Sequence, residues 1–243
     1  MRVDPAPTDA ALTDYYRAYA DHMRAGGRSA RGEAEVYARA DADVADLERW
    51  RAPGRLLDVG CGGGHLLRAA QRRGWDVFGT EVGEHAVAAL RAEFGSHRIW
   101  HARAGADDVI SGMRFDAVVM RHVLEHVRDP TAALRQVRAM LGPGGIMLCE
   151  VPDVSALRIR LRRRPLMGQL HLWHFSAATL AALLVRQEFG VNEICFRDHR
   201  GPVGPTWRRL ARRLRFGLEN AAWRWARVDL GTNVRIYATP LTY

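Results

Sequence analysis

With 243 residues, 48% of them apolar, the chain has enough length and apolar content for one large α/β domain with appendages. Its three cysteines, Cys61, Cys149 and Cys195, are far apart and form no CxxC pair, which argues against a zinc ribbon or disulfide framework, and no window approaches the roughly 18 apolar residues of a membrane span. The net charge of +9 is lopsided: residues 1–150 carry 20 arginines against 21 acids, residues 151–243 carry 16 against 6, and lysine is absent.

A basic C-terminal part suggests an anionic partner, such as a phosphate, an acidic membrane or RNA. The opening stretch MRVDPAPTDAALTDYY has no apolar signal core and carries acids early, so a cytoplasmic location is expected.

Residues 1–50 are polar and rich in Ala and Arg. TDYYRAYADHM and EAEVYARADADVADLERW have helical apolar spacing and predict two short helices that cover the front of the domain. Pro53-Gly54 breaks that pattern. Strands and helices then alternate. RLLDVG, WDVFGTE, HRIWHA and FDAVVMRH read as four strands, with the helices HLLRAAQRRG and EHAVAALRAEFG between the first three. Asp129-Pro130 forms an N-cap and N1 pair for TAALRQVRAML, and the turn GPGG leads into a fifth strand, IMLCEV. Ser176 caps the helix AATLAALLVRQEF, which Gly190 should end, and Phe175 with Leu180 fits a hydrophobic staple. VNEICF and NVRIYAT complete seven strands. Such βαβ alternation predicts a Rossmann-like α/β fold: a seven-stranded, mostly parallel sheet with helices on both faces.

The most informative stretch is Asp58-Val59-Gly60-Cys61-Gly62-Gly63-Gly64, between the first strand and the helix after it. Gly60 permits a tight turn, and Gly62 and Gly64 leave the backbone bare for a ligand. Free amides at the helix start favour an anionic group. Glu81, at the end of the second strand, can accept hydrogen bonds from both hydroxyls of a ribose. A nicotinamide dinucleotide site is the nearest rival. Its GxGxxG fingerprint is not met, because the loop reads GxGxG and Leu66 and Leu67 follow. The spacing favours an adenosine ligand without a pyrophosphate.

On these residues the chain resembles the class I S-adenosylmethionine-dependent methyltransferases, whose first motif has the form acid-x-Gly-x-Gly-x-Gly. FDAVVMRHVLEHVRDP, MLGPGGIMLCEVPD and HLWHFSAATLAALLVRQEFG resemble a narrower branch, the ubiquinone-biosynthesis O-methyltransferases and related bacterial small-molecule and sugar methyltransferases. The resemblance implies that Asp58, Gly60, Gly62 and Gly64 face the methionine part of the cofactor, that Glu81 holds its ribose, and that Asp107 is the best candidate for its adenine. It also implies that Arg121, at the end of the fourth strand, lies where the cofactor's methionine amine is met. Four histidines stand where a general base could act: His122, His126, His171 and His174. His126 and His171 are the expected catalytic pair, while Glu125 could equally fix a backbone turn. No metal site is expected, since the His171-x-x-His174 pair has no evident third ligand.

The resemblance covers roughly residues 50–197, and the expected division is a helical cover over 1–50 and a methyltransferase domain over 51–243. A basic segment, 198–232, is inserted before the last strand. Trp207, Leu210, Leu214, Leu218, Ala221 and Trp225 recur at helical spacing there, with Arg208, Arg212 and Arg215 on the other side. A second basic run, RIRLRRRP, follows the fifth strand. Such a surface suits either packing on the domain or peripheral contact with an anionic membrane and a lipid-linked acceptor. The expected function is methylation, by analogy on oxygen, of a small-molecule, sugar or lipid-linked acceptor. The alternatives are an RNA methyltransferase using the arginine-rich surface, although no RNA-binding module is present, and a non-catalytic cofactor-binding protein.

Overall fold

A computed structural model describes residue 8, residues 30–105, 110, 112–155, 171–197 and 233–241, and residues 214, 217, 218, 220 and 221. The first expected N-terminal helix, Asp107, the run RIRLRRRP and most of the 198–232 segment lie outside the described residues.

Seven strands form one sheet: β1 (Arg55–Val59), β2 (Asp76–Glu81), β3 (Ile99–His101), β4 (Phe115–Arg121), β5 (Leu141–Pro152), β6 (Phe189–Arg197) and β7 (Asn233–Pro240). Their order is β3-β2-β1-β4-β5-β7-β6. The pairs from β3 to β5 are parallel, and β7 runs antiparallel to both neighbours. The sheet is therefore mostly parallel, as the alternation of elements predicts.

Its strands are near-continuous apolar runs because both faces are covered. On one face lie α1 (Ala30–Leu47), α2 (His65–Arg72) and α3 (Glu84–Phe94), whose Val44, Leu67 and Leu90 pack with Leu56, Val119 and Leu148. On the other lie α4 (Pro130–Met140) and α5 (Ala177–Arg186), whose Leu134, Val137 and Leu180 pack with Leu57, Val118 and Met147. Alternate strand residues belong to opposite clusters, the period of two that a pleated strand imposes. α1 matches the second expected N-terminal helix and buries Ala40, Val44 and Leu47, a stripe at intervals of four and three residues.

Local chemistry sets the helix ends. Asp129 Oδ1 accepts the Thr131 and Ala132 amides at 2.8 and 3.0 Å, with Pro130 in the first turn of α4. Ser176 and Thr179 form a reciprocal capping box on α5, and Phe175 and Leu180 are buried in the same cluster. The end of α5 differs from expectation. The helix stops at Arg186, Glu188 turns the chain in the left-handed region at φ 61°, and Gly190 already pairs with Thr239 inside β6. Phe189 is fully buried and fits a strand as well as a helix, so its apolar character could not mark the boundary. The GPGG turn also falls within β5, as an irregularity: Phe115 pairs with Leu141, and pairing resumes at Ala117 with Ile146.

Candidate active site

The loop after β1 is stitched to the end of β2. The Cys61 amide donates to the Thr80 carbonyl at 2.9 Å, and the Gly62 amide donates to Glu81 Oε2 at 2.7 Å. Glu81 Oε1 accepts the Val82 and Gly83 amides at 2.8 and 2.9 Å. The carboxylate is thus held at the strand end, against the glycine loop, as the motif requires.

The glycines divide by role. Gly62 has φ 54°, and a Cβ there would meet nothing within 4 Å, so its face opens to a ligand. Gly64 has φ 74°, but a Cβ there would lie 2.4 Å from Leu90 Cδ2. Its bare backbone therefore also serves the close packing of α2 and α3. Gly60 likewise leaves room for Val123, whose Cγ2 would be 2.6 Å from a Cβ. Gly64 caps α2 without a side-chain acceptor. The first amides of that helix are therefore available to an anionic group.

Beside the loop, Asp58 is buried, and its Oδ2 has no hydrogen-bond partner. Burial pushes its pKa up to about 7; nearby Arg121 pulls it down, and Glu81 and Asp43 push it further up. Arg121 donates from Nη1 to Asp43 Oδ2 at 2.5 Å, while its Nε is buried without an acceptor. One orphan acceptor and one orphan donor thus accompany the open face of Gly62. That set matches a zwitterionic amino-acid head and a ribose better than a pyrophosphate.

Sequence reasoning missed the charge array that holds Arg121. Arg121, Glu150 and Arg235 are register neighbours across β4, β5 and β7. Arg235 Nη2 donates to Glu150 Oε2 at 2.5 Å and to Asp43 Oδ1 at 2.6 Å, and Arg39 from α1 also pairs with Glu150. Burial opposes ionisation of Asp43 and Glu150, but the guanidiniums outweigh it and hold both carboxyls below their usual range. Single charges inside the apolar strand runs LCEVP and VRIYA were the available signal.

The four histidines separate in the structure. His122, in the left-handed region at φ 56°, lies between Glu125 Oε1 at 3.4 Å and Glu150 Oε1 at 3.3 Å. Burial opposes its charge, yet the two carboxylates raise its pKa to about 9, so it is a cation at neutral pH and unsuited to act as a base. His126 and His171 come together, ring centroids 4.8 Å apart, and His174 lies 6.2 Å from His171. Burial lowers the pKa of His171 and of His174. Glu125 is buried, neither oxygen has a hydrogen-bond partner, and Oε1 lies 3.9 Å from His126 Nε2. Its carboxylate faces imidazoles, so its expected alternative role of fixing a backbone turn is corrected. Glu125, His126 and His171 each bring a possible ligand atom within 4.8 Å of the others, a third partner for His171 that the sequence did not reveal. The segment carrying His171 is pinned to the 124–127 loop: the Trp173 amide donates to the Glu125 carbonyl at 3.1 Å and its Nε1 to the Val127 carbonyl at 3.0 Å.

Comparison with known proteins bears on the family and the fold. The ubiquinone biosynthesis O-methyltransferase of Cereibacter sphaeroides (strain ATCC 17025 / ATH 2.4.3) is 44% identical over 99 residues, 40% of this chain and 40% of that protein. The match thus spans well under half the length of that curated relative. Among solved structures, a [4+2]-cyclase, SpnF, superposes with a TM-score of 0.66 at 23% identity, over 98% of this chain and 99% of that one. Magnesium protoporphyrin IX methyltransferase from Synechocystis PCC 6803 gives a TM-score of 0.64 at 12% identity, over 96% of this chain and all of that one. These two likenesses bear on the fold. The family model described as a methyltransferase domain matches residues 33–194, two thirds of the sequence, and the chain belongs to that family.

Proposed function

We propose that the protein binds S-adenosylmethionine across the glycine loop and methylates an oxygen of a small-molecule, sugar or lipid-linked acceptor. The observation that carries this reading is the Glu81 carboxylate held at the open face of Gly62. Glu81 would exchange its bond to the Gly62 amide for the ribose hydroxyls. Gly62 would lie against the methionine part, Asp58 would take its ammonium, and Arg121, through Nε, its carboxylate. Asp107 remains the candidate for the adenine.

The cofactor supplies a methyl group already activated on a sulfonium. The protein's task is to align that methyl with the acceptor oxygen and exclude water. Alignment of this kind can supply on the order of 7–11 kcal/mol. A hydroxyl acceptor must also lose a proton. His171, which burial favours in the neutral state, and His126 beside it are the groups to receive it.

Calorimetric titration with S-adenosylmethionine tests the cofactor reading, and loss of binding in Glu81→Ala is expected. Turnover tests the bases. His126→Ala and His171→Ala should each lose most activity with cofactor affinity kept, and unchanged turnover in both would remove the general-base role. Cofactor binding without methyl transfer to any acceptor would favour the non-catalytic alternative.

A peripheral membrane role has its own support. Leu214 and Leu218, one helical turn apart, are 61% and 70% exposed within an arginine-rich stretch. Asn220 accepts the Phe196 amide of β6 at 3.0 Å and ties that stretch to the sheet edge. No described helix is long and apolar enough to cross a membrane. Leu214→Ser with Leu218→Ser should abolish co-sedimentation with anionic vesicles. Salt-sensitive binding of RNA in place of vesicles would favour the RNA reading.

A further inference from the structure

Outside the cofactor cleft, a groove of about 630 Å³ runs between the start of α4 and one face of α5. Its α5 wall is Thr179, Ala182, Leu183 and Arg186, residues at offsets of three, four and seven, which form a single helix face. Trp173 and Phe175 supply the remaining apolar surface. Arg128 and Arg186, both exposed, bring positive charge to the lining. Asp129 is the acid of the lining, and its Oδ1 is engaged by two amides at the start of α4. The positive end of that helix offsets part of the acid's charge, and the lining side chains carry two guanidiniums against one carboxylate.

We propose that this groove is a binding site for an anionic amphiphile: a flat apolar body against Trp173 and Leu183, with a carboxylate or phosphate met by Arg128 and Arg186. The combination argues for this class. A small inorganic anion would leave the exposed parts of the indole and Leu183 wet, so it would use the charges and waste the apolar surface. A neutral apolar body would gain nothing from the two guanidiniums, whose forked donors suit carboxylate and phosphate oxygens. The volume falls within the roughly 300–1,000 Å³ of small-molecule sites. The groove also touches the candidate active site from behind. Trp173, against which the occupant rests, is the residue whose amide and indole hold the carbonyls of Glu125 and Val127. A bound amphiphile would brace the loop that carries His126. The binding claim itself does not depend on methyl transfer.

Calorimetry on the full chain tests it with four probes: 2-naphthoate, 2-naphthyl phosphate, neutral 2-naphthalenemethanol and inorganic phosphate. Either or both naphthyl anions should bind at least tenfold more tightly than the neutral analogue and than inorganic phosphate, and the tighter anion identifies the headgroup. Arg128→Ala with Arg186→Ala should weaken the anion at least tenfold. Ala182→Trp, which fills the groove from an exposed position on α5, should abolish binding with the melting temperature kept. Equal binding of the neutral probe or of inorganic phosphate, no binding of either naphthyl anion, or full binding in both variants would overturn the proposal. Titration of the same samples with S-adenosylmethionine reports the cofactor cleft separately, so failure at one site is distinguishable from failure at the other.

Discussion

Glu81 and Gly62 share a 2.7 Å hydrogen bond from the Gly62 amide to the Glu81 carboxylate, so the acid proposed to hold the ribose and the glycine proposed to face the cofactor form one unit. A charged hydrogen bond of this kind contributes about 1.5–3 kcal/mol. Glu81→Gln, which keeps an acceptor but loses the charge, should weaken S-adenosylmethionine about tenfold, and Glu81→Ala about a hundredfold. Isothermal titration of both variants checks the order.

The glycines separate cofactor affinity from stability. Gly62→Ala places a Cβ in open space at φ 54°, so the free protein meets only the left-handed penalty of roughly 1–2 kcal/mol, while the bound cofactor meets the methyl. Gly64→Ala adds to that penalty a clash with Leu90. Urea unfolding should therefore show the larger stability loss at position 64, and titration the larger affinity loss at position 62.

The two variants also mark where sequence reading reached its limit. The motif grouped Gly60, Gly62 and Gly64 by spacing, but only tertiary packing distinguishes a glycine with open space before it from one that abuts Leu90. The alternation of strands and helices and the helical cover on both sheet faces were legible, because apolar runs and caps such as Asp129 and Ser176 are local signals, whereas the order that puts β7 between β5 and β6 was not. The pairing of Asp43 with Arg235, 192 positions apart, was not, since no local pattern ties an α1 acid to a β7 base. Glu125 was ambiguous for the same reason: its role depends on His122 and His126 turning toward it, and His122 does so through a backbone conformation unusual for a side chain other than glycine.

That buried array predicts a stability contrast. Arg235 is fully buried and bonds both Glu150 and Asp43. Arg235→Met would take the shared guanidinium from two buried carboxylates, leaving Asp43 to Arg121 and Glu150 to Arg39 and His122, and should cost about 3–5 kcal/mol. Arg72 pairs with Asp41 in the open, with both side chains about half exposed, and Arg72→Met should change stability by less than about 0.5 kcal/mol. Denaturant midpoints of the two variants check this.

If Asp58 takes the cofactor's ammonium as proposed, cofactor affinity should depend on pH. Its pKa stands near 7 because it is buried, with Arg121 opposing and Glu81 and Asp43 adding to the rise. An ammonium is bound by the ionised carboxylate, so affinity should be full above pH 7. It should fall as pH drops through 7, by up to about tenfold per unit, with protons released on binding. Asp58→Asn should bind weakly at every pH and lose the slope. Titrations in buffers of different ionisation enthalpy measure both effects.

His122 gives the protein an alkaline limit. Its folded pKa of about 9 lies above the ordinary 6.5, because Glu125 and Glu150 favour the imidazolium more than burial disfavours it. A raised pKa stabilises the fold fully below the unfolded value, and that contribution is lost as pH rises from about 6.5 through 9. The side chain is 30% exposed, so screening reduces the contribution to on the order of 2 kcal/mol. Asn tolerates φ near 56° better than most residues, so His122→Asn removes the charge without adding backbone strain. The wild type should be the more stable at pH 6, and the gap should close by pH 10. A gap that stays constant across that range would show that His122 carries no charge between its two carboxylates.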